Sequence, residues 1–153
     1  MNVAECGVWQ GFSVPRIMRN YPEAQVWLFD SFQGHGEPSE FDNAEAHPKG
    51  KYSDTDFRDI IRRFPKAQVI VGWIPETLEC VKEMQFRFVR IDLDHYWPTK
   101  WACAFFRERM ELGGIIEFDD YRHPECPGAT KAIDEVFGME KVRKDPWHWL
   151  REN

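Results

Sequence analysis

Short apolar runs recur along the chain between polar stretches rich in glycine and proline, and their lengths alternate between those of strands and those of helices. Residues 3–5 read as a first strand, and Gly7 and Gly11 then bracket a turn. A helix follows over 12–18, with Ser13 placed to cap it and Pro15 in its first turn. A second strand over 25–29 ends in Asp30. Residues 31–52 carry Gly34, Gly36, Pro38, Pro48 and Gly50 without sustained periodicity, which predicts a long loop. Such loops in compact domains act as lids or binding loops, or else are mobile surface excursions. Phe57, Ile60, Ile61 and Phe64 share one face of a helix over 54–64.

A third strand follows over 67–71, and residues 72–78 are its exit loop and the start of a further helix. The run Phe86, Phe88, Val89, Ile91 makes a largely buried fourth strand. Residues 98–110 predict a helix with Trp101, Ala102, Phe105, Phe106 and Met110 inward, after which Gly113 and Gly114 turn the chain into a fifth strand ending at Phe118. Residues 121–128 form a loop and 129–137 a helix. The tail, 140–143 and 147–150 around Asp145-Pro146, predicts a hairpin of two antiparallel edge strands. The whole reads as one domain over 1–153, a doubly wound α/β sheet, mostly parallel and ending in an antiparallel hairpin, with ligands at the C-terminal strand tips.

Composition narrows the function classes. A chain of 153 residues with 42% hydrophobic and 15% aromatic residues supports one packed core, and its apolar runs fall far short of a membrane span. A net charge of −6 without any Lys/Arg block argues against a nucleic-acid partner. The N-terminus has neither the basic nor the apolar region of a signal peptide, which places the chain in the cytoplasm. Cys6, Cys80, Cys103 and Cys126 show no zinc spacing and read as reduced, mostly buried thiols. Of the five histidines only His95 and His123 have neighbours that give them interest.

The chemistry concentrates at the strand tips. Asp92 and Asp94 follow the fourth strand directly, and Asp119 and Asp120 end the fifth. Neighbouring strands lie about 4.8 Å apart, so four carboxylates converge on one sheet edge. Such charges stay ionised only where a cation or an acid-base task holds them. Hard oxygen donors select Mg²⁺, Ca²⁺ or Mn²⁺ over zinc. The bland alternative is a charged rim satisfied by Arg90, Lys100 and Arg122. At the other end, the glycine turn alone is a weak sign of a nucleotide corner, but Asp30 lies 19 residues beyond Gly11, where doubly wound folds grip a ribose. Glu5 ahead of the turn would repel a pyrophosphate and welcome a cationic ligand such as a sulfonium. Trp73 offers a flat face for an adenine.

Five blocks, Glu5-Cys6-Gly7-Val8-Trp9-Gln10-Gly11, the stretch from Trp27 to Gly34, that from Gly72 to Leu78, Arg90-Ile91-Asp92-Leu93-Asp94-His95-Tyr96 with Thr99 and Lys100, and the stretch from Gly113 to Tyr121, resemble the macrocin O-methyltransferase family. Its members are class I enzymes with a Rossmann-like sheet that use S-adenosylmethionine and Mg²⁺ to methylate sugar hydroxyls of natural products. The resemblance implies that Glu5, Gly7 and Asp30 hold the cofactor, and Gly11, Ser13, Ser31, Gly72, Trp73 and Asp92 complete the candidate cofactor site. It further implies that Asp92, Asp119 and Asp120 ligate the metal, and that Asp94 is the general base with His95 as its competitor. On one strand Asp92 and Asp94 would point the same way and His95 the opposite way, unless the strand has ended there. A small-molecule hydroxyl acceptor, a sugar by inheritance, is the implied partner, and self-association stays open. The family usually has a helical segment before the first strand, whereas this chain begins at that strand. Two rival functions remain: a metal-dependent nucleotide-sugar transferase, and a non-catalytic S-adenosylmethionine-binding domain acting as sensor or scaffold.

Overall fold

A computed structural model describes residues 1–152. Strands β1 (Asn2–Cys6), β2 (Gln25–Asp30), β3 (Gln68–Val71), β4 (Phe86–Ile91), β5 (Met110–Phe118) and β6 (His148–Leu150) form one sheet in the order β3-β2-β1-β4-β5-β6. All neighbours pair in parallel except β5 and β6, which run antiparallel. Helices α1 (Val14–Asn20) and α2 (Phe57–Arg63) cover one face, and α3 (Tyr96–Arg107) and α4 (Pro127–Phe137) the other.

Alternation along the strands produces this arrangement. Val3, Val26, Leu28 and Phe88 pack on Val14, Ile17, Ile60 and Phe64, while Ala4, Cys6, Phe29, Val89 and Ile91 pack on Ala102, Cys103, Phe106 and Ile133. Strands buried on both faces read as near-continuous apolar runs, which is why their positions are legible from sequence. The strand order reverses direction between β1 and β4, and the tips of those two strands open a crevice there.

Four elements differ from expectation. Helix α2 starts at Phe57 because Asp56 caps it by accepting from the Arg58 N–H, while Asp54 is drawn off to the Trp9 indole, 2.6 Å away. Helix α3 starts earlier, at Tyr96, and stops at Arg107, so Met110 belongs to β5 and Trp101 stays exposed. Gly113 and Gly114 lie inside β5, where pairing jumps from Phe86↔Met110 to Phe88↔Ile115. Gly113 has φ +71°, so the glycines make a bulge in place of a strand entry. The tail contributes one edge strand: after Gly138 the chain tightens into a 3₁₀ turn at Met139–Lys141, leaving a single bridge, Arg143 to His148. Among the described residues no helix is long and apolar enough to cross a membrane.

Candidate active site

The site begins with a close approach of backbones. Gly7 sits at φ +85°, and a Cβ there would lie 1.6 Å from the carbonyl oxygen of Asp92. Only glycine lets β1 leave the sheet while Asp92 donates its N–H to Cys6 O at 2.9 Å. The turn after Gly7 is then fixed by Asp30. Its Oδ2 accepts from the N–H groups of Val8 and Trp9, both at 2.8 Å, and its Oδ1 from Phe32 at 2.7 Å. The Asp30 carboxylate therefore builds the corner as well as facing it.

A cavity of about 690 Å³ opens over these tips, a size that suits a cofactor with room for an acceptor beside it. Gly7, Ser13, Asp30, Ser31, Gly72 and Trp73, all candidates for the cofactor site, are among its lining residues. Glu5 and Gly11 are not on its wall. Glu5 is fully enclosed, accepting from Arg90 Nη1 at 2.9 Å and from the Ser13 hydroxyl, with its other oxygen unpaired. Burial pushes its carboxyl up to about 7, against the pull of Arg90. Ser13 thus spends its hydroxyl on Glu5 and makes no side-chain cap for α1. Gly11 is required by packing: a Cβ would meet the Phe64 ring at 2.8 Å.

Carboxylate oxygens of Asp92, Asp119 and Asp120 lie within 4.8 Å of one another. Arg90 reaches into this group, 2.7 Å from Asp92 Oδ2 and paired also with Asp119. Even so, burial holds the Asp92 carboxyl up at about 6, and burial together with Asp92 raises Asp120 well above the usual range. More negative charge is packed here than one guanidinium neutralises, and an all-oxygen set of this kind fits a hard divalent cation. Of the other two cations expected to satisfy the rim, Lys100 pairs with Glu135 and Arg122 lies over Tyr121 and Trp147.

Asp94 and His95 both line the cavity, but not as strand alternation predicts. Strand β4 ends at Ile91, and Asp94 has φ +58°, a turn held by Asp120 Oδ2 accepting from the N–H groups of Leu93 at 3.0 Å and Asp94 at 2.9 Å. The turn carries the Asp94 carboxylate to His35 Nε2, 2.9 Å away, and to the Cys126 thiol at 3.4 Å. Burial would raise the Asp94 carboxyl, but the bond to His35 and the neighbouring imidazoles hold it below its ordinary value. His95 Nε2 donates to the His47 carbonyl at 2.9 Å. His123 also lines the cavity, its Nδ1 accepting from the Glu125 N–H. His35, His47 and Cys126 were not among the candidates. The legible signal was their place in the two long loops that follow strand tips. At the rim, Trp97 and Trp101 are exposed and stacked, with ring centroids 5.6 Å apart.

The family model of the macrocin O-methyltransferases matches residues 1–145. Mycinamicin III 3''-O-methyltransferase of Micromonospora griseorubida is 25% identical over an alignment of 173 positions, covering 98% of this chain and 68% of that protein. Two solved structures are similar in fold over 99% of this chain and 72% of theirs: the calicheamicin methyltransferase CalS11, with a TM-score of 0.80 at 20% identity, and the O-methyltransferase NovP, with 0.82 at 23%. A third, described as an apo structure of CalS11, a TDP-rhamnose 3'-O-methyltransferase, gives 0.71 at 18% identity.

Proposed function

The chain belongs to the macrocin O-methyltransferase family, and on that premise we propose that it transfers a methyl group from S-adenosylmethionine to a hydroxyl of a sugar borne by a small molecule, assisted by a hard divalent cation such as Mg²⁺. The observation that supports this reading is that one cavity is lined both by Asp30 and Trp73 beside the glycine turn and, at the neighbouring strand tips, by Asp92, Asp94, Asp119 and Asp120. The sugar is inherited from what the relatives' names say of them.

In this reading the Asp30 carboxylate, already aligned by three backbone N–H groups, accepts from a ribose hydroxyl with the one lone pair left on its Oδ1. Trp73 covers the adenine, and the exposed Trp97–Trp101 pair receives the apolar face of the acceptor. Asp92, Asp119 and Asp120 hold the cation. When bound, the cation lowers the pKa of the acceptor hydroxyl and the sulfonium supplies the methyl group. Asp94 takes the hydroxyl proton on its carboxylate, which His35 Nε2 orients. Its lowered pKa makes it a weak base, adequate only for an acidified hydroxyl. His95 is the second reading: with Nε2 donating to the His47 carbonyl, its Nδ1 keeps a free lone pair.

The test is to incubate the chain with S-adenosylmethionine, Mg²⁺ and a panel of glycosylated compounds and nucleotide sugars, and to measure S-adenosylhomocysteine. Methylation of a sugar oxygen, lost with EDTA and restored by Mg²⁺, is expected. Cofactor binding with no turnover on any acceptor would make the domain a sensor or scaffold, and release of nucleoside diphosphate would make it a glycosyl transferase. Full activity in EDTA would remove the metal from the reading.

A further inference from the structure

The histidines that the proposed chemistry uses least stand in an arrangement that needs its own account. His35, His47 and Asp94 each present one ligand atom within 4.8 Å of the other two. Their side chains are only 11%, 5% and 14% exposed. His47 Nδ1 is enclosed and makes no hydrogen bond, yet it stands 3.4 Å from Asp94 Oδ1. That spacing is long for an N–H···O bond, whose usual distance is about 2.9 Å. It matches the edge of a tetrahedron of ligands around one ion: bonds of about 2.0 Å to nitrogen and oxygen set donors roughly 3.3 Å apart.

The surroundings hold these donors in place as the outer ring of a metal site does. His47 Nε2 is 3.5 Å from Cys126 Sγ, and an Nε2–H donated to that sulfur leaves Nδ1 as the lone pair aimed at Asp94. The His47 backbone is pinned by His95 Nε2 on its carbonyl. His35 is clamped by two backbone bonds, His35 N–H to Lys51 O at 2.9 Å and Gly50 N–H to His35 O at 2.8 Å. The loop carrying both imidazoles therefore presents them already converged.

We propose that His35, His47 and Asp94 form a binding site for a borderline divalent transition-metal ion, Zn²⁺ in the first instance. Two imidazole nitrogens distinguish it from the all-oxygen group of Asp92, Asp119 and Asp120, since Mg²⁺ takes oxygen ligands and zinc accepts nitrogen. The ion would displace the proton that His35 Nε2 shares with the Asp94 carboxylate, and three protein ligands would leave one of four coordination positions free. One consequence rests on the catalytic reading above: an ion on Asp94 removes the proton acceptor, so Zn²⁺ inhibits a chain that Mg²⁺ activates.

Binding is measured apart from catalysis, by calorimetric titration of ZnCl₂ into the full chain with excess Mg²⁺ and no cofactor or acceptor. Visible absorption of Co²⁺ at the same site reports its coordination. The native chain should take up one Zn²⁺. His47→Ala and His47→Gln should each weaken binding about tenfold or more, with folding checked by circular dichroism, while Asp119→Asn leaves it within about twofold. The glutamine variant keeps the volume and removes the imidazole, so a loss confined to the alanine variant counts against the site. No uptake by the native chain, equal uptake by the His47 variants, or loss on Asp119→Asn overturns the proposal. A chain with no methyltransferase activity still passes or fails this test.

Discussion

Arg90→Met should destabilise the chain strongly in EDTA and recover much of the loss in Mg²⁺. Arg90 is 9% exposed, and its guanidinium serves four carboxylates: Glu5 at 2.9 Å, Asp92 at 2.7 Å, Asp119, and Glu117 at 3.5 Å. Removing one partner of a buried ion pair costs about 3–5 kcal/mol, because the other charges stay behind. Here the low end applies, since Glu5 at about 7 and Asp92 at about 6 already sit close to taking a proton and do so once Arg90 is gone. At about 3 kcal/mol, and about 2–4 °C per kcal/mol for a chain of this size, the melting temperature in EDTA should fall by roughly 6–12 °C.

Arg90 and a divalent cation compete for Asp92 and Asp119, so the variant should also bind Mg²⁺ more tightly than the native chain. An excess of about 100 times the dissociation constant returns about 2.7 kcal/mol, or roughly 5–11 °C. Thermal melts of both proteins in EDTA and across a Mg²⁺ series measure each quantity. A fall below about 2 °C in EDTA would mean that Arg90 carries little of the charge balance. An equal Mg²⁺ response in the two proteins would mean that arginine and cation do not share ligands, and the carboxylate group would lose its reading as a metal site.

Asp30→Ala should weaken S-adenosylmethionine binding by about ten- to a hundredfold, measured by calorimetry, and an unchanged affinity would remove Asp30 from the cofactor site. Asp94→Asn should lower turnover by about 10²–10⁴ while cofactor affinity stays within a few-fold; native turnover in that variant, with loss in His95→Ala, would assign the proton transfer to His95. Glu5→Gln should flatten the pH dependence of stability. The Glu5 carboxyl stands at about 7 in the fold against an ordinary 4.5, so the folded chain binds the extra proton and stability falls as pH rises from 4.5 to 7. The loss is at most ~3 kcal/mol, and chemical denaturation of both proteins in EDTA at the two ends of that window measures it; equal slopes would mean that Glu5 ionises normally.

The sheet and its acidic edge are legible because strands buried on both faces leave apolar runs that stop abruptly at acids: Asp30, Asp92, Asp119. The tail differs from expectation for a local reason, since Gly138 at φ +81° leads into the 3₁₀ turn at Met139–Lys141 that takes up half of the expected strand over 140–143. Glu5 was misplaced for a tertiary one. Its position before the glycine turn suggests a ligand contact, but nothing local reveals that Arg90, 85 residues later, stands opposite it on β4 and pairs with the enclosed carboxylate. His35 and His47 were invisible because their convergence depends on Gly34 packing against the backbone of Gly50 and Lys51, and on His95 reaching the His47 carbonyl.

Asp120 shows why the pair at 119–120 could be found in the sequence while its geometry could not. Spacing identifies two acids at a strand tip and suggests that both serve a cation. In the fold, Asp120 Oδ2 is already engaged by the N–H groups of Leu93 and Asp94, so one oxygen remains for any ion. The same two bonds hold Asp94 in its left-handed conformation and so aim its carboxylate at His35. A residue read as a ligand is thus also the support that positions the candidate base. Asp120→Asn keeps one acceptor oxygen, which can stay on the Leu93–Asp94 turn, and gives up a carboxylate oxygen toward the ion; Asp120→Ala gives up both. If the two roles are separate, the asparagine variant should lose Mg²⁺ response with the His35–Asp94 contact intact, and the alanine variant should lose the contact as well.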